Sequence, residues 1–516
     1  MKVSQKLQNN PYYIIEILAL LFGALVPFSF SPYGLFWLQF PLIAFLFLIC
    51  LEQTPRRTFL RAFLFGLGWF VHGIHWLFYS LYFHGGSPVF LAVLMVVILA
   101  AVLALFPAFA MSLANRFIKA RKIIMLLVVY PLVIMLFEWL RGYVLTGLPW
   151  VQLGTAHVDT YLAGFAPLIG GLGMVLMAGL VSGVTAMLVM KRLIENSDTN
   201  NTFLKTGSVI VLVIYMTGFL LGFIEWTRPA GEPVKVSLIQ GNVAQSEKWK
   251  RENYRPTLEM YRQLTQLNYQ SDLIIWPETA IPGFKSRVSH YLNELKLEAE
   301  NTQTELLMGV FIRDPQTKRY YNSVITLDDQ VYKKRHLVPL GEYFPFRFLL
   351  DFFAQWINIP LSDIDLGDKN QPLIEAAGQK IGVNICFEDV FDRDVLLDLP
   401  EATLLVNVSN DAWFEDSPEP WQHHQIARVR ALETGRVLLR ATNTGVTSVI
   451  GRKGEVQASL PQFKRDVLNV TVQGYEGATP YVLWANYLLI ILSLLVLGFI
   501  YMKGRSVKKR AQPTQA

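Results

Sequence analysis

The segment KIGVNICFED, residues 380–389, is an apolar run that ends in a cysteine, with Phe387, Glu388 and Asp389 after it. A short apolar run of this kind is typical of a buried strand. Similar runs recur through the second half of the chain, with helical patterns between some of them, and this predicts an α/β domain with buried strands. The other runs are VKVSLIQGNV (234–243), DLIIWPET (272–279), ELLMGVFI (305–312), NSVITL (322–327), ATLLVNVS (402–409) and RVLLRATN (436–443), and the helical patterns cover 254–268, 287–301 and 418–435.

The chain as a whole is too apolar for an ordinary soluble enzyme. Hydrophobic residues make up 52% of the 516 residues, and the mean hydropathy is +0.33. Stretches long enough to cross a hydrocarbon core of roughly 30 Å recur through it and predict a multi-pass α-helical membrane bundle of about eight helices. These stretches are 12–29, 34–51, 62–82, 89–113, 123–140, 168–190, 208–226 and 481–502.

This pattern divides the chain into four parts. A membrane domain with about seven transmembrane helices is predicted at 1–227, and a globular domain at 228–478. A C-terminal transmembrane helix follows at 479–502, and a basic tail at 503–516.

Basic residues predict the orientation, because short loops rich in Lys and Arg stay on the cytoplasmic side. They mark alternate loops, so both termini are expected in the cytoplasm and the globular domain outside it. These loops also account for the net charge of +6, so no nucleic-acid partner is implied. The marking residues are Lys2, Lys6, Arg56, Arg57, Arg61, Arg116, Lys119, Arg121, Lys122, Lys191, Arg192, Lys205, Lys503, Arg505, Lys508, Lys509 and Arg510.

The two cysteines, Cys50 and Cys386, are predicted to stay unpaired. Cys50 lies near the cytoplasmic end of a predicted span and Cys386 in the domain on the other side, which is too far for a disulfide. An unpaired thiol in an oxidising compartment raises the expectation of a chemical role for Cys386, although a buried, inert cysteine is the plain alternative.

Two further polar residues stand where predicted strands end. Glu278 closes DLIIWPET and Lys334 lies in VYKKRHLVPLGEY. Strand ends in α/β sheets are where side chains from distant sequence meet in a site. Each residue also has an ordinary structural interpretation: a turn cap for Glu278, a solvated lysine for Lys334 and core packing for Cys386.

Together the three residues resemble the Glu-Lys-Cys triad of the nitrilase superfamily, in the motifs WPET (276–279), KRHLVP (334–339) and NICFED (384–389). With a membrane bundle around such a domain, the chain resembles the apolipoprotein N-acyltransferase family of the bacterial inner membrane. TGLPWVQLG (146–154), QGNVAQSEKW (240–249) and GEYFPF (341–346) extend the resemblance over nearly the whole chain.

The resemblance implies an αββα sandwich with its catalytic face in the periplasm. Cys386 would be the nucleophile, Glu278 the general base and Lys334 the group that stabilises the oxyanion. The acyl donor would be a membrane phospholipid, and the acceptor the N-terminal amine of S-diacylglyceryl-cysteine on an apolipoprotein. No metal or organic cofactor is expected. A membrane-tethered amidase of the nitrilase type is the alternative, because it would use the same triad.

Other residues are expected to support this site. Glu342 and Glu388 would orient the triad or the backbone around it, and the backbone N–H of Phe387 would assist Lys334. Trp150 and Trp249 are candidates for substrate entry, with interfacial anchoring as the alternative. The aromatic stretch 343–361 is interpreted as an arm that dips into the membrane interface, with domain core as the alternative, and its candidate substrate-binding residues are Phe344, Phe346, Phe353 and Trp356, with Phe352 beside them. Glu138 and Arg141, three residues apart, predict an ion pair or a gate.

Overall fold

The computed structural model describes residues 13–194, 200–339, 341–343 and 364–511 of the chain. These residues group into two compact units. The first comprises Met1–His75, Val93–Ile224 and Trp484–Ala516, and the second comprises Trp76–Ala92 and Glu225–Leu483. The chain thus crosses from one unit to the other within residues that the sequence assigns to the membrane domain.

The first unit is a bundle of apolar helices. Among the described residues, five helices are long and apolar enough to span a membrane, and a sixth span results if Pro55–Gly73 and Leu77–His84 are counted together. This agrees with the predicted multi-pass bundle, except that a turn at residues 74–76 breaks the third predicted helix. The five are Val89–Phe117, Lys122–Arg141, Tyr161–Arg192, Thr202–Leu221 and Tyr487–Ser506, and two shorter apolar helices cover Tyr13–Ser29 and Phe36–Cys50.

A buried ion pair fixes one loop of this bundle. Arg141 Nη2 lies 2.7 Å from Glu138 Oε2, and both side chains are almost fully buried. The same guanidinium donates to the carbonyl oxygen of Trp150 at 2.9 Å and to that of Leu148. Because a buried charge needs both a counter-charge and hydrogen bonds, this arrangement holds the TGLPW loop in one conformation. Glu138 and Arg141 therefore form a buried ion pair.

The second unit contains two β-sheets. The first has the strand order β13-β1-β2-β4-β5-β6, with β3 paired to β4, and the second has the order β12-β11-β10-β9-β8-β7. Pairs β1–β2, β2–β4, β8–β9 and β9–β10 are parallel. The strands are β1 Arg228–Gln240, β2 Leu273–Ile275, β3 Ile281–Phe284, β4 Glu305–Arg313, β5 Tyr320–Ile325, β6 Val331–Lys333, β7 Ile374–Ala376, β8 Gln379–Ile385, β9 Leu404–Ser409, β10 Leu438–Thr442, β11 Ser448–Ile450, β12 Val456–Ser459 and β13 Asp466–Glu476.

The sheets pack face to face between helices. Buried residues of β1, β2 and β4 share one core cluster with residues of β8, β9 and β10. The outer face of the first sheet packs against helices Tyr254–Gln266 and Ser289–Thr302. The outer face of the second packs against helix Glu419–Thr434. The central strands are buried on both faces, which explains their largely apolar sequence. The result is the predicted αββα sandwich.

The segment Trp76–Ala92 folds onto this sandwich. Trp76 Nε1 donates to Gln422 Oε1 at 3.2 Å, and its ring lies against Phe414. His84 Nε2 lies 3.0 Å from Glu415 Oε1. These partners lie in helix Glu419–Thr434 and in the loop before it, so a stretch of chain next to a membrane helix forms part of the sandwich unit.

We expect Gly309→Ala to destabilise the sandwich unit. A Cβ at Gly309 in β4 would lie 2.4 Å from the carbonyl oxygen of Pro277 and 2.8 Å from Glu278 Cα, so the backbone after β2 would have to move. Overpacking of this kind costs about 1–3 kcal/mol. A thermal unfolding midpoint several degrees below that of the unmodified protein is the expected result. Gly498→Ala is the matched control because its Cβ meets nothing within 4 Å, and equal midpoints for both variants would contradict the prediction.

Candidate active site

Cys386 occupies a strained position directly after β8. Its φ is +52°, a left-handed conformation that residues with a side chain rarely adopt. Such a conformation costs about 1–3 kcal/mol and persists only where the surroundings enforce it. Here the carbonyl oxygen of Cys386 accepts hydrogen bonds from Asn407 Nδ2 at 3.0 Å and from His423 Nε2 at 3.2 Å. The strained backbone at Cys386 thus lowers the stability of the protein and holds the thiol in one orientation.

A buried charged layer beneath the nucleophile holds those two donors. Arg440 Nη1 donates to Asn407 Oδ1 at 2.7 Å, and Arg440 Nη2 donates to His423 Nδ1 at 2.8 Å. Because a guanidinium can only donate, His423 carries its proton on Nε2, which faces Asp389 Oδ1 at 2.8 Å and the Cys386 carbonyl. Arg440 therefore holds in place the histidine that donates to the Cys386 carbonyl.

The same layer contains Asp411 and Glu419, which with His423 form a group close enough to share a metal ion. Arg440 already supplies the positive charge there, since its Nη2 lies 3.3 Å from Asp411 Oδ2. Burial, the largest single effect, would raise the pKa of Asp411, but Arg440, His423 and Ser409 together outweigh it and lower that pKa to about 2. We interpret this group as a structural ion-pair network.

Lys334 follows β6 and is shared between two carboxylates. Its Nζ lies 2.8 Å from Glu342 Oε2 and 3.6 Å from Glu278 Oε1, and only 1% of its side chain is exposed. Burial would lower the pKa of Lys334, but the charges of Glu342 and Glu278 outweigh it and raise that pKa above its ordinary value. Lys334 consequently stays positively charged at every physiological pH.

Asn322 joins the two carboxylates. Its Nδ2 donates to Glu278 Oε1 at 2.7 Å and to Glu342 Oε1 at 3.1 Å. The backbone N–H of Val338 also donates to Glu342 Oε2. These bonds fix both carboxylates with respect to Lys334. The structure thus brings Glu278, Lys334 and Glu342 together in one hydrogen-bonded group.

The thiol of Cys386 is neutral at rest. Burial, and then the charge of Glu278, raise its pKa well above the ordinary value, against the opposing effect of Lys334. A neutral thiol becomes a nucleophile only if a base takes its proton. Two carboxylates act on the Cys386 thiol through their charge, and the effect of Glu278 is larger than that of Asp411.

Glu388 ties the nucleophile turn to the lysine loop. Oε2 accepts from Tyr332 Oη at 2.8 Å and from the Ile385 N–H at 2.6 Å. Oε1 accepts from the His336 N–H at 3.0 Å and from the Arg335 N–H. Burial raises the pKa of Glu388 to about 7 against the effect of these donors. Its carboxylate thus connects the residues before Cys386 to those after Lys334.

The remaining predicted site residues are dispersed. The Phe387 ring lies 5.0 Å from that of Phe391. Trp150 belongs to the first unit, where it is 1% exposed. Trp249 belongs to the second unit and is 50% exposed, with its ring 6.0 Å from that of Phe311. Phe344, Phe346, Phe352, Phe353 and Trp356 lie outside the described residues.

Several site residues were missing from the sequence prediction, and three of them carried a signal. Asn322, Asn407 and Arg440 each interrupt an otherwise apolar strand. A buried polar residue in such a strand must find a partner, so it points to a hydrogen-bonded site. His423 gave no such signal, because adjacent histidines on a helix are compatible with any environment.

Comparisons with known proteins identify the family of the chain. The carbon-nitrogen hydrolase family matches residues 235–481, and the apolipoprotein N-acyltransferase N-terminal domain matches residues 22–184. The chain is 41% identical to the apolipoprotein N-acyltransferase of Methylococcus capsulatus, over 97% of this chain and 98% of that protein. It is 40% identical to that of Nitrosomonas europaea, over 96% and 97%, and 37% identical to that of Vibrio cholerae, over 94% and 96%.

Among solved structures, the C. elegans NitFhit protein covers 51% of this chain and 65% of its own, with a TM-score of 0.38 and 14% identity. The carbon-nitrogen hydrolase match carries the nitrilase-like fold assignment.

Glu388→Gln should destabilise the protein. Both carboxylate oxygens accept two hydrogen bonds, so the amide group of a glutamine would face two donors in either orientation. Leaving such buried donors unpaired costs at least about 2 kcal/mol. We expect a clear drop in the thermal unfolding midpoint, whereas Glu375→Gln, on an exposed position of β7, should leave it unchanged. An unchanged midpoint in Glu388→Gln would show that the carboxylate is not needed to join the two loops.

Proposed function

Since the chain belongs to the apolipoprotein N-acyltransferase family, we propose that it transfers an acyl chain from a membrane phospholipid, by way of a thioester on Cys386, to a lipoprotein. The acceptor in this proposal is the N-terminal amine of S-diacylglyceryl-cysteine. Family membership makes the chain an acyltransferase of bacterial membranes that acts on lipoproteins. The observation that carries the proposed mechanism is the strained Cys386 beside Glu278 and Lys334.

The first half-reaction forms the thioester. Glu278 accepts the thiol proton while the sulfur of Cys386 attacks the ester carbonyl carbon of the phospholipid. The carbonyl oxygen becomes an oxyanion, and the permanently charged Lys334 stabilises it. The C–O bond then breaks, and the leaving lysophospholipid oxygen takes the proton from Glu278. Cys386 keeps the acyl chain.

The second half-reaction forms the amide. The acceptor amine attacks the thioester carbonyl, Glu278 takes the proton that the amine loses, and Lys334 stabilises the second oxyanion. The C–S bond breaks, and the sulfur of Cys386 recovers a proton from Glu278. One carrier atom alternates between two substrates, so the kinetics should be ping-pong.

A membrane-tethered amidase remains the second candidate. The match of residues 235–481 to carbon-nitrogen hydrolases favours it, because the same groups could pass an acyl chain to water. The two candidates differ in the acceptor. A transferase must keep its thioester until an amine arrives, whereas a hydrolase releases the acyl chain to water.

The sandwich unit is proposed to face the periplasm, with both termini in the cytoplasm, on the basis of the basic loops. Leu267 is an exposed residue of the sandwich unit, and Ser506 lies in the basic tail. In a background without Cys50 and Cys386, an impermeant maleimide that passes the outer membrane should label Leu267→Cys in intact cells. Ser506→Cys should react only after the inner membrane is opened. Labelling in the reverse order would overturn this topology.

The mechanism predicts a covalent acyl-enzyme. Purified protein incubated with acyl-labelled phospholipid should carry the label on Cys386, seen by mass spectrometry of its peptide, and Cys386→Ala should carry none. Lys334→Met should slow labelling by about 10²–10³-fold, because one charged oxyanion partner is lost. The neighbouring Lys333→Met serves as control, since Lys333 lies over the ring of Tyr321 instead.

A chase of the labelled protein separates the two candidates. The thioester should persist in buffer and disappear when a diacylated lipopeptide is added, with the label recovered as an amide. Rapid loss to water, with no amide, would favour the hydrolase. No label on the wild type, or label that persists in Cys386→Ala, would refute the mechanism.

A further inference from the structure

A second buried lysine lies beside the proposed triad. Lys248 ends the short helix Gln245–Lys248 after β1, and its side chain is buried. Its Nζ donates to the backbone carbonyl oxygen of Glu278 at 3.2 Å. Among the residues that the structure describes, no carboxylate oxygen lies within the 4.0 Å of an ion pair with this ammonium. Burying an ammonium group without a counter-charge lowers the stability of a protein. A buried lysine of this kind therefore points to a functional role.

The surrounding chain holds Lys248 in this position. Asn410 Nδ2 donates to Gln245 Oε1 at 2.9 Å. Asn443 binds the backbone of Val243 twice, accepting from its N–H at 2.9 Å and donating to its carbonyl at 2.7 Å. Asn443 also donates to Asn410 Oδ1. The loops that follow β9 and β10 therefore fix the segment that carries the lysine.

The charge on Lys248 faces the reacting groups. The titratable groups that act on it are Glu278, after β2, and Cys386, after β8. Burial lowers the pKa of Lys248 to about 8, against the raising effect of those two groups. On its own helix, Glu247 points elsewhere and pairs with Lys250 at 2.6 Å. Lys248 is thus charged at neutral pH and loses its charge a little above it, while Lys334 keeps its own.

We propose that Lys248 is a second cation of the active site, which acts on the Glu278–Cys386 pair and lowers the free energy of the Cys386 thiolate. The inference rests on the proposed function, in which sulfur becomes negatively charged twice. It does so as the thiol loses its proton to Glu278, and again as thiolate leaves when the amine displaces it. In this scheme Lys334 stabilises the oxyanion, and Lys248 stabilises the negative charge on the sulfur. Lys248 is a positioning residue in this scheme, because it acts through its charge and its bond to the Glu278 carbonyl.

Three substitutions separate the charge from the hydrogen bond. Lys248→Met removes both, Lys248→Gln keeps an N–H donor without the charge, and Lys248→Arg keeps both. If Lys248 acts only through its hydrogen bond, the glutamine variant should behave like the parent protein. If Lys248 acts through its charge, only the arginine variant should do so. Lys250→Met, two residues away on the surface, controls for loss of a lysine as such.

The test measures the reactivity of the Cys386 thiol. Full-length protein that carries Cys50→Ala is treated with iodoacetamide between pH 6 and pH 10, and alkylation of the Cys386 peptide is followed by mass spectrometry. Since only the thiolate reacts, the rate reports its population. Lys248→Met and Lys248→Gln should each react about tenfold more slowly at pH 7, equivalent to a thiol pKa higher by about one unit. Lys248→Arg and Lys250→Met should stay within about twofold of the parent.

The pH profile adds a second readout. In the parent protein the rate should rise less steeply across pH 8, because Lys248 loses its charge there and the thiolate becomes harder to form. That shoulder should be absent in the methionine and glutamine variants. Parent-like rates in both of these, or equal slowing in the arginine variant, would overturn the proposal. Should one neutral variant fail to fold, as judged by its thermal midpoint, the other decides. Alkylation needs neither lipid nor lipoprotein, so absence of an acyl label would refute the proposed function without affecting this result.

Discussion

A cysteine held at a φ of +52° at the end of a strand is the constraint on which the rest of the sandwich unit depends. Two hydrogen bonds to the Cys386 carbonyl stabilise this strained conformation, and Arg440 holds the side chains of both donors in place. Arg440 can be buried only because Asp389 and Asp411 neutralise it. The charged layer beneath Cys386 thus holds one backbone conformation, and its residues come from β9, β10, the helix between those strands and the turns that follow β8 and β9.

Two factors determine the charges in the site. One is burial, and the other is the number of ion-pair and hydrogen-bond partners that each buried group has. Lys334 has two carboxylates and keeps its charge, whereas Lys248 has one backbone carbonyl and holds its proton weakly. Burial keeps the thiol neutral until a substrate arrives. This arrangement avoids a permanently reactive thiolate. In the proposed mechanism, Cys386 becomes nucleophilic only when Glu278 takes its proton.

The structural features that could be predicted best from the sequence are those for which physical chemistry allows few alternative arrangements. Buried parallel strands must be apolar, so the α/β domain and its strand ends could be predicted, and with them the places of Glu278, Lys334 and Cys386, while the sandwich was implied only by the family resemblance. The layer beneath Cys386 could not be assembled in the same way. Asn407 and Arg440 each interrupt an apolar strand, but the sequence does not show which residues, 17 to 51 positions from Arg440, are its partners. The break at residues 74–76 was equally hidden, since hydropathy is continuous across it and only the backbone conformation changes there.

That break has a consequence for how the active unit is assembled. Residues 76–92 leave the apolar helix Pro55–Gly73 and fold onto the sandwich, where Trp76 binds Gln422 and His84 pairs with Glu415. Gln422 is the neighbour of His423, the histidine that donates to the Cys386 carbonyl. The helix that orients the nucleophile is therefore packed on one side by chain that begins and ends in membrane helices. An excised 228–478 domain would lack that packing, and the strained cysteine would lose part of the structure that enforces it. The catalytic unit is thus larger than the contiguous polar segment that composition alone delimits.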